Sequence, residues 1–423
     1  MTAMPALTTN GTTHTPPRIL WAPAAAVLLG TGWGANQFTP MLLVYRHTLG
    51  LSTGTLEAVF GVYALGLIPG LLLGGPLSDA RGRRAVVVPA AVLSLAASML
   101  LVAAGYGEAI LFAGRLLAGV SSGAVFGAGT AWLRELSRPP LGTASDPAAA
   151  RRAAIAMTTG FALGPLVAGL LAQWAPAPTV VPYLPHVVLM AMVLVLLRKA
   201  PETVTGADRQ ALRLSPPGMR SARFRKVVAP MAPWVFAAPA IAFALLPSVV
   251  GAEHATNGIA LTATITALCA LAGVLIQPLA RRLDANARRN RAATVGLLVL
   301  AAGLALGAAT AQDGAVWLLV PCAIVLGSAY GLCLVAGLVE IQRIADRRGL
   351  AGLTAMYYAL AYLGFAAPYL IVLAAHLASY STLLLIAAAL ALATTALVTR
   401  RLARQDAVST DSHPGEGVVQ RDG

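Results

Sequence analysis

Long apolar runs alternate along the chain with short polar connections that carry arginine. A helix that crosses a bilayer needs about 20 mostly apolar residues. Runs of that kind occupy 20–45, 53–77, 85–105, 108–135, 152–174, 180–198, 228–250, 256–280, 292–311, 315–341, 350–375 and 379–399. The pattern predicts an all-α integral membrane protein with twelve transmembrane helices. The stretch Lys199 to Val227 lacks a long apolar run and contains Pro216, Pro217 and Gly218. It predicts a cytoplasmic central loop, 199–227, between two pseudo-symmetric six-helix bundles at 18–198 and 228–404. Residues 1–17 predict a polar N-terminal tail, and 405–423, rich in Ser, Asp and Gly, a disordered C-terminal one. The first apolar run is too long for a cleaved leader and has no small-residue cleavage pattern behind it, so it is expected to stay as the first helix.

Weak internal repetition supports the halves. Pro76-Leu77 and Pro278-Leu279 close the second and eighth runs, 202 residues apart. Glu135 with Arg138, and Glu340 with Arg343, close the fourth and tenth, 205 residues apart.

Composition agrees with the pattern: 58% of residues are hydrophobic and 11% charged, against about 25% charged in soluble domains. The net charge of +14 on a soluble chain would suggest nucleic acid. Here its placement explains it. Of 30 Lys and Arg, 28 fall in the tails or in connections on one side of the predicted spans; Arg46 and Arg115 are the exceptions. Basic residues stay on the cytoplasmic side, so both termini are expected in the cytoplasm, in a multi-pass protein of the cell membrane. Nucleic acid drops out as a partner. The basic central loop is expected to be solvated, with membrane lipid as its other possible contact. Cys269, Cys322 and Cys333 lie in apolar runs without metal-type spacing and are expected to pack. No phosphate-binding Gly-Lys loop, nucleophile elbow or His/Cys cluster is present. The chain is therefore expected to be no enzyme, with no catalytic residues, no metal and no cofactor.

Three motifs sharpen this. Gly75 to Arg84 read GPLSDARGRR between the second and third runs. Gly82 permits a tight turn, Asp79 can accept charge-assisted hydrogen bonds, and Arg83 can pair with an acid on a neighbouring helix. In the fourth run, Arg115, Gly119, Gly123 and Gly127 recur every four residues, which puts the glycines on one face for close helix approach. Arg115 lies ~10 Å deep by helical rise, where a buried arginine usually faces a wet cavity or an acid. In the fifth run, Gly160, Gly164, Pro165 and Gly169 make a thin, kinked helix.

The first motif resembles the loop after helix 2 of major facilitator superfamily transporters, G-x-L-[SA]-D-x-x-G-R-[RK], matched by Gly75, Leu77, Ser78, Asp79, Gly82, Arg83 and Arg84. The helix count, orientation and central loop are also similar to that family's. The resemblance implies that Asp79 faces the start of the eleventh helix. It further implies that Arg83 and Glu135 share a cytoplasmic charge cluster that locks the halves in the outward-open state. It assigns Arg115 to proton coupling. It associates the fifth-run motif, which has Ala168 where the antiporter pattern has Gly, with exporters.

Polar residues in the spans supply the remaining candidates. Asn36 and Gln37 interrupt the first run, and Pro40 can kink it. Glu57 is the one carboxylate inside the outer half of a span, and with Arg115 it is a candidate for proton coupling. The acid that many proton-coupled exporters of the family carry in helix 1 is missing. Tyr63, Tyr358 and Tyr362 are candidates for an aromatic cavity with Asn36 and Gln37. His186 and His376 are each alone and are expected to pack or sit at an interface. The resulting expectation is a monomeric secondary active transporter that exports a small, largely apolar compound in exchange for protons. The alternatives are an importer or facilitator of a small metabolite such as a sugar, and a membrane sensor that transports nothing.

Overall fold

The computed structural model describes residues 19–204, 218–284, 291–345 and 350–411, with backbone alone for Glu253, Ala351 and 402–411. The predicted tail 1–17, residues 205–217 of the central loop, residues 412–423 of the predicted disordered tail, and Arg18, Arg288, Arg289, Arg347, Arg348 and Arg421 lie outside the described residues.

The described chain is helical: α1 (Ala22–Asn36), α2 (Met41–Leu49), α3 (Thr53–Arg81), α4 (Arg83–Val102), α5 (Glu108–Ser137), α6 (Asp146–Trp174) and α7 (Val181–Leu197), then α8 (Phe224–Val249), α9 (Gly258–Leu283), α10 (Arg291–Asp313), α11 (Val316–Ile344), α12 (Gly352–Ala374) and α13 (Tyr380–Asp411). Ten of these are long and apolar enough to cross a membrane, and α7 is shorter. Every predicted apolar run holds helix. The first is broken in two, and Pro40 is the physical reason. It has no N–H to donate to the Asn36 carbonyl. Thr39 N takes that carbonyl instead at 3.0 Å, and Met41 N takes Phe38 O at 3.0 Å. The chain tightens through residues 37–40 and restarts as α2. Composition predicts a disordered tail after residue 404, but α13 continues to Asp411. Ala403, Arg404, Gln405 and Ala407 are good helix formers.

Large apolar side chains cover the outside, among them Leu65, Met99, Val188, Leu275, Leu370 and Leu377. An apolar exterior on a wholly helical body is what a lipid solvent demands, because every backbone group is satisfied within its own helix.

The helices form two sets. In the first, α1 lies on α6, and α3 and α4 lie on α5; in the second, α9 and α10 lie on α11, and α8 lies on α11 and α12. The sets meet where α3 crosses α12 and α6 crosses α9. A repeated crossing relates them. A Cβ on Gly160 would sit 2.2 Å from Leu29 O and 2.8 Å from Trp33 N, and one on Gly364 would sit 2.1 Å from Pro233 O and 2.4 Å from Ala237 N. The offset is 204 residues for both partners (160 to 364, 29 to 233). Backbone meets backbone at both points, which only a residue without a side chain allows.

Candidate functional site

A cavity lies where the two sets meet, enclosing about 490 Å³ of space including its mouth. Ala35, Asn36, Tyr63 and Phe161 line it from the first set. From the second come Phe236, Pro239 and Phe243 on α8, Ala270 on α9, Tyr330 on α11, and Tyr362 and Phe365 on α12. Phe236 and Tyr362 stack at 4.2 Å and 13° between planes. The polar groups in the wall belong to Asn36, Tyr63, Tyr330 and Tyr362, and none is charged.

Three predicted cavity residues line this wall: Asn36, Tyr63 and Tyr362. Two do not. Gln37 is fully buried and donates through Nε2 to Ser98 Oγ at 2.9 Å. Ser98 Oγ in turn meets His186 Nδ1 at 2.7 Å, and His186 Nε2 meets Gly30 O at 2.9 Å. A carbonyl only accepts, so Nε2 carries a proton. His186 therefore fastens three helices. Tyr358 is half-buried and packs on Tyr357, ring centroids 5.8 Å apart. Phe161, Phe236, Phe243 and Tyr330 were not legible as cavity residues. The apolar spans give no sequence signal for which face turns inward.

Arg115 is buried without an acid. Its guanidinium carbon is 4.4 Å from the Tyr63 ring, 4.6 Å from Phe38 and 5.9 Å from Phe60. Nη1 donates to Ala35 O at 3.3 Å, and Nε has no hydrogen-bond partner. Glu57 is equally buried, and neither carboxylate oxygen has a hydrogen-bond partner. Among the described residues no ion pair joins Glu57 to Arg115.

The fifth-run motif sits at crossings. Gly160 and Gly164 meet the α1 backbone at Leu29 and Trp33, and Gly169 faces Ala263 of α9. Pro165 has no N–H for the Phe161 carbonyl, and Asn36 Nδ2 donates to that carbonyl at 3.4 Å. Gly119 and Gly123 of the fourth-run motif meet the α3 backbone at Tyr63 and Leu67.

At one end of the body the GPLSDARGRR turn carries a charge network. Arg83 Nη2 donates to Glu135 at 2.8 Å, its Nη1 donates to Ser78 Oγ at 2.7 Å, and it also pairs with Asp79. Glu202, which sequence reasoning did not single out, accepts from the backbone N–H groups of Arg83 and Arg84, both at 2.9 Å, and so caps α4. Gly82 has φ +112, and a Cβ there would lie 2.6 Å from Glu202 Oε2. Thr203 Oγ1 donates to Glu135, Trp132 Nε1 to Pro201 O, and Arg84 Nη1 to Ala200 O. A Cβ on Gly75 would meet nothing within 4 Å. These partners all lie between residues 75 and 204, so the network ties the first set to the start of the central loop. Asp79 is engaged by Arg83, and residues 346–349, ahead of α12, lie outside the described residues. The second set has its own network, in which Glu340 pairs with Arg223 and Arg343.

The opposite end joins the two sets. Arg46 Nη1 donates to Ser248 O at 3.2 Å. Gln173 donates to Thr256 O and accepts from Ala260 N, both at 3.3 Å. Phe60 packs on Phe243 and Phe365 at 6.2 and 5.2 Å.

A helical body with an apolar exterior and an aromatic cavity between two repeated helix sets is a multi-pass membrane protein of the transporter class. The chain belongs to the Major Facilitator Superfamily, whose profile matches residues 24–367. No curated protein sequence matches the chain. Among solved structures, the nucleoside transporter NupG is similar over 90% of this chain and 98% of its own, at 15% identity and a TM-score of 0.69. A POT family transporter in complex with 5-aminolevulinic acid is similar over 92% of this chain and 98% of its own, at 13% identity and a TM-score of 0.73. At these identities the likeness is one of fold.

Proposed function

We propose that the chain crosses the cell membrane twelve times, counting the broken α1–α2 pair and α7, and exports small, largely apolar compounds in exchange for protons by alternating access. The aromatic cavity between the two helix sets carries this reading. Its uncharged rings suit an apolar, ring-bearing cargo better than a phosphate or a dicarboxylate. The basic end is assigned to the cytoplasm by its arginines. On that assignment the end closed by Arg46 and Gln173 faces outward. Glu57 is the proton carrier of this reading. It is a buried carboxylate without a hydrogen-bond donor, on the helix that also carries Tyr63 into the cavity wall.

The test is a ligand-stability screen of purified protein with aromatic compounds, followed by flux of each hit in proteoliposomes with and without a pH gradient. The proposal expects gradient-driven flux that Glu57→Gln reduces to the gradient-free level. Undiminished flux in that variant removes Glu57 as carrier. Binding lost in Phe236→Ala and Tyr362→Ala places the cargo in the cavity. Uptake of a labelled sugar or similar metabolite, with no hit exported, overturns the export reading.

A further inference from the structure

Arg115 stands directly behind the cavity wall. Tyr63, whose ring its guanidinium carbon approaches to 4.4 Å, and Ala35, whose carbonyl it binds at 3.3 Å, are both wall residues. The residue is 1% exposed. Among the described residues no carboxylate pairs with it. A charge withdrawn from water without a counter-ion is costly. Ring faces offset part of that cost but leave the positive charge in place. In a water-poor interior its field extends well beyond one ring. The cavity wall holds no acid to cancel it.

We infer that the cavity selects its cargo by charge. It takes flat aromatic compounds that bear a carboxylate or similar anionic group, with the anionic end against the Ala35–Tyr63 wall and the ring against the Phe236–Tyr362 stack. It rejects aromatic cations, although a box of rings by itself would welcome them. The cargo supplies the counter-ion that Arg115 lacks. This rests on the cavity being the cargo site, and the experiment separates the two claims.

Purified full-length protein is titrated at neutral pH with three compounds of one skeleton: 2-naphthoate, 2-naphthamide and 2-naphthylmethylammonium. The expected order is carboxylate tightest, amide between, ammonium weakest, with about tenfold or more between the extremes. Arg115→Lys keeps that order. Arg115→Met brings the three within about twofold. If Arg115→Met does not fold, the wild-type order decides alone. Equal binding of all three, or tighter binding of the ammonium, overturns the charge selection and leaves the cavity as the cargo site. Binding of none of the three overturns both.

Discussion

Asn36 Nδ2 donates at 3.4 Å to the carbonyl of Phe161, the acceptor that Pro165 leaves without its helical N–H. One side chain thus lines the cavity and repairs the kink of the helix beside it. Asn36→Ala should destabilise the protein by about 1 kcal/mol, the usual net worth of a hydrogen bond. In a Pro165→Ala background the carbonyl regains an N–H, and the cost of Asn36→Ala should shrink. A double-mutant cycle on thermal stability in detergent reads the coupling directly. Additive effects would show that the bond does not matter.

Gly160 and Gly364 make equivalent backbone contacts, while a Cβ on Gly75 would meet nothing within 4 Å. A methyl group at either crossing must push two helices apart, so Gly160→Ala and Gly364→Ala should each lower the melting temperature clearly. Overpacking in cores typically costs about 1–3 kcal/mol. Gly75→Ala should leave it unchanged. If Gly75→Ala nevertheless loses flux, Gly75 matters in a conformation other than this one.

Glu202 makes the loop network pH-sensitive. Burial alone would raise its carboxyl, but the backbone N–H groups of Val204, Arg84, Arg83 and Thr203 together hold it below the ordinary value of 4.5. The folded value is the lower one. Docking of residues 200–204 therefore contributes stability in full above the ordinary value, and that contribution is lost as pH falls through the folded value. At neutral pH, Glu202→Ala should expose the amides of Arg83 and Arg84 to faster hydrogen exchange and leave those of α10 unaffected. Unchanged exchange at Arg83 and Arg84 would remove the cap from the account.

Gln173 clasps the first turn of α9 from the other helix set. Gln173→Ala removes both bonds and should favour opening at that end. A reporter cysteine at Ile259, which lines the cleft beside Gln173, should then react several-fold faster with a water-soluble maleimide. The native Cys269, Cys322 and Cys333 are all buried and should give little background. An unchanged labelling rate would show that the clasp does not hold this end shut.

The spans and the GPLSDARGRR turn were legible in the sequence because each depends on local signals: run length, a glycine with positive φ, and charges within a few residues. The break at Pro40 was legible for the same reason. The cavity was only partly so. Asn36 stands out as a polar residue in an apolar helix, whereas Phe161, Phe236 and Tyr330 look like any other lipid-facing or packed ring until rotation about the helix axis is known. Gln37 looked equivalent to its neighbour, yet one residue is a 100° turn of the helix, and its partner Ser98 is 61 positions away. Glu202 was missed because nothing near it shows that it caps a helix starting 119 residues earlier.

The shared 204-residue offset at the two glycine crossings acts as a ruler. Any insertion between Leu29 and Gly160 that has no counterpart between Pro233 and Gly364 would have broken it. The connections in each half differ in sequence and charge, yet the crossing partners are equally far apart along the chain in both. Tolerance to added length in this chain is thus expected in the segment joining the halves and at the two ends, and poor anywhere that would move one crossing partner along its helix by a single step.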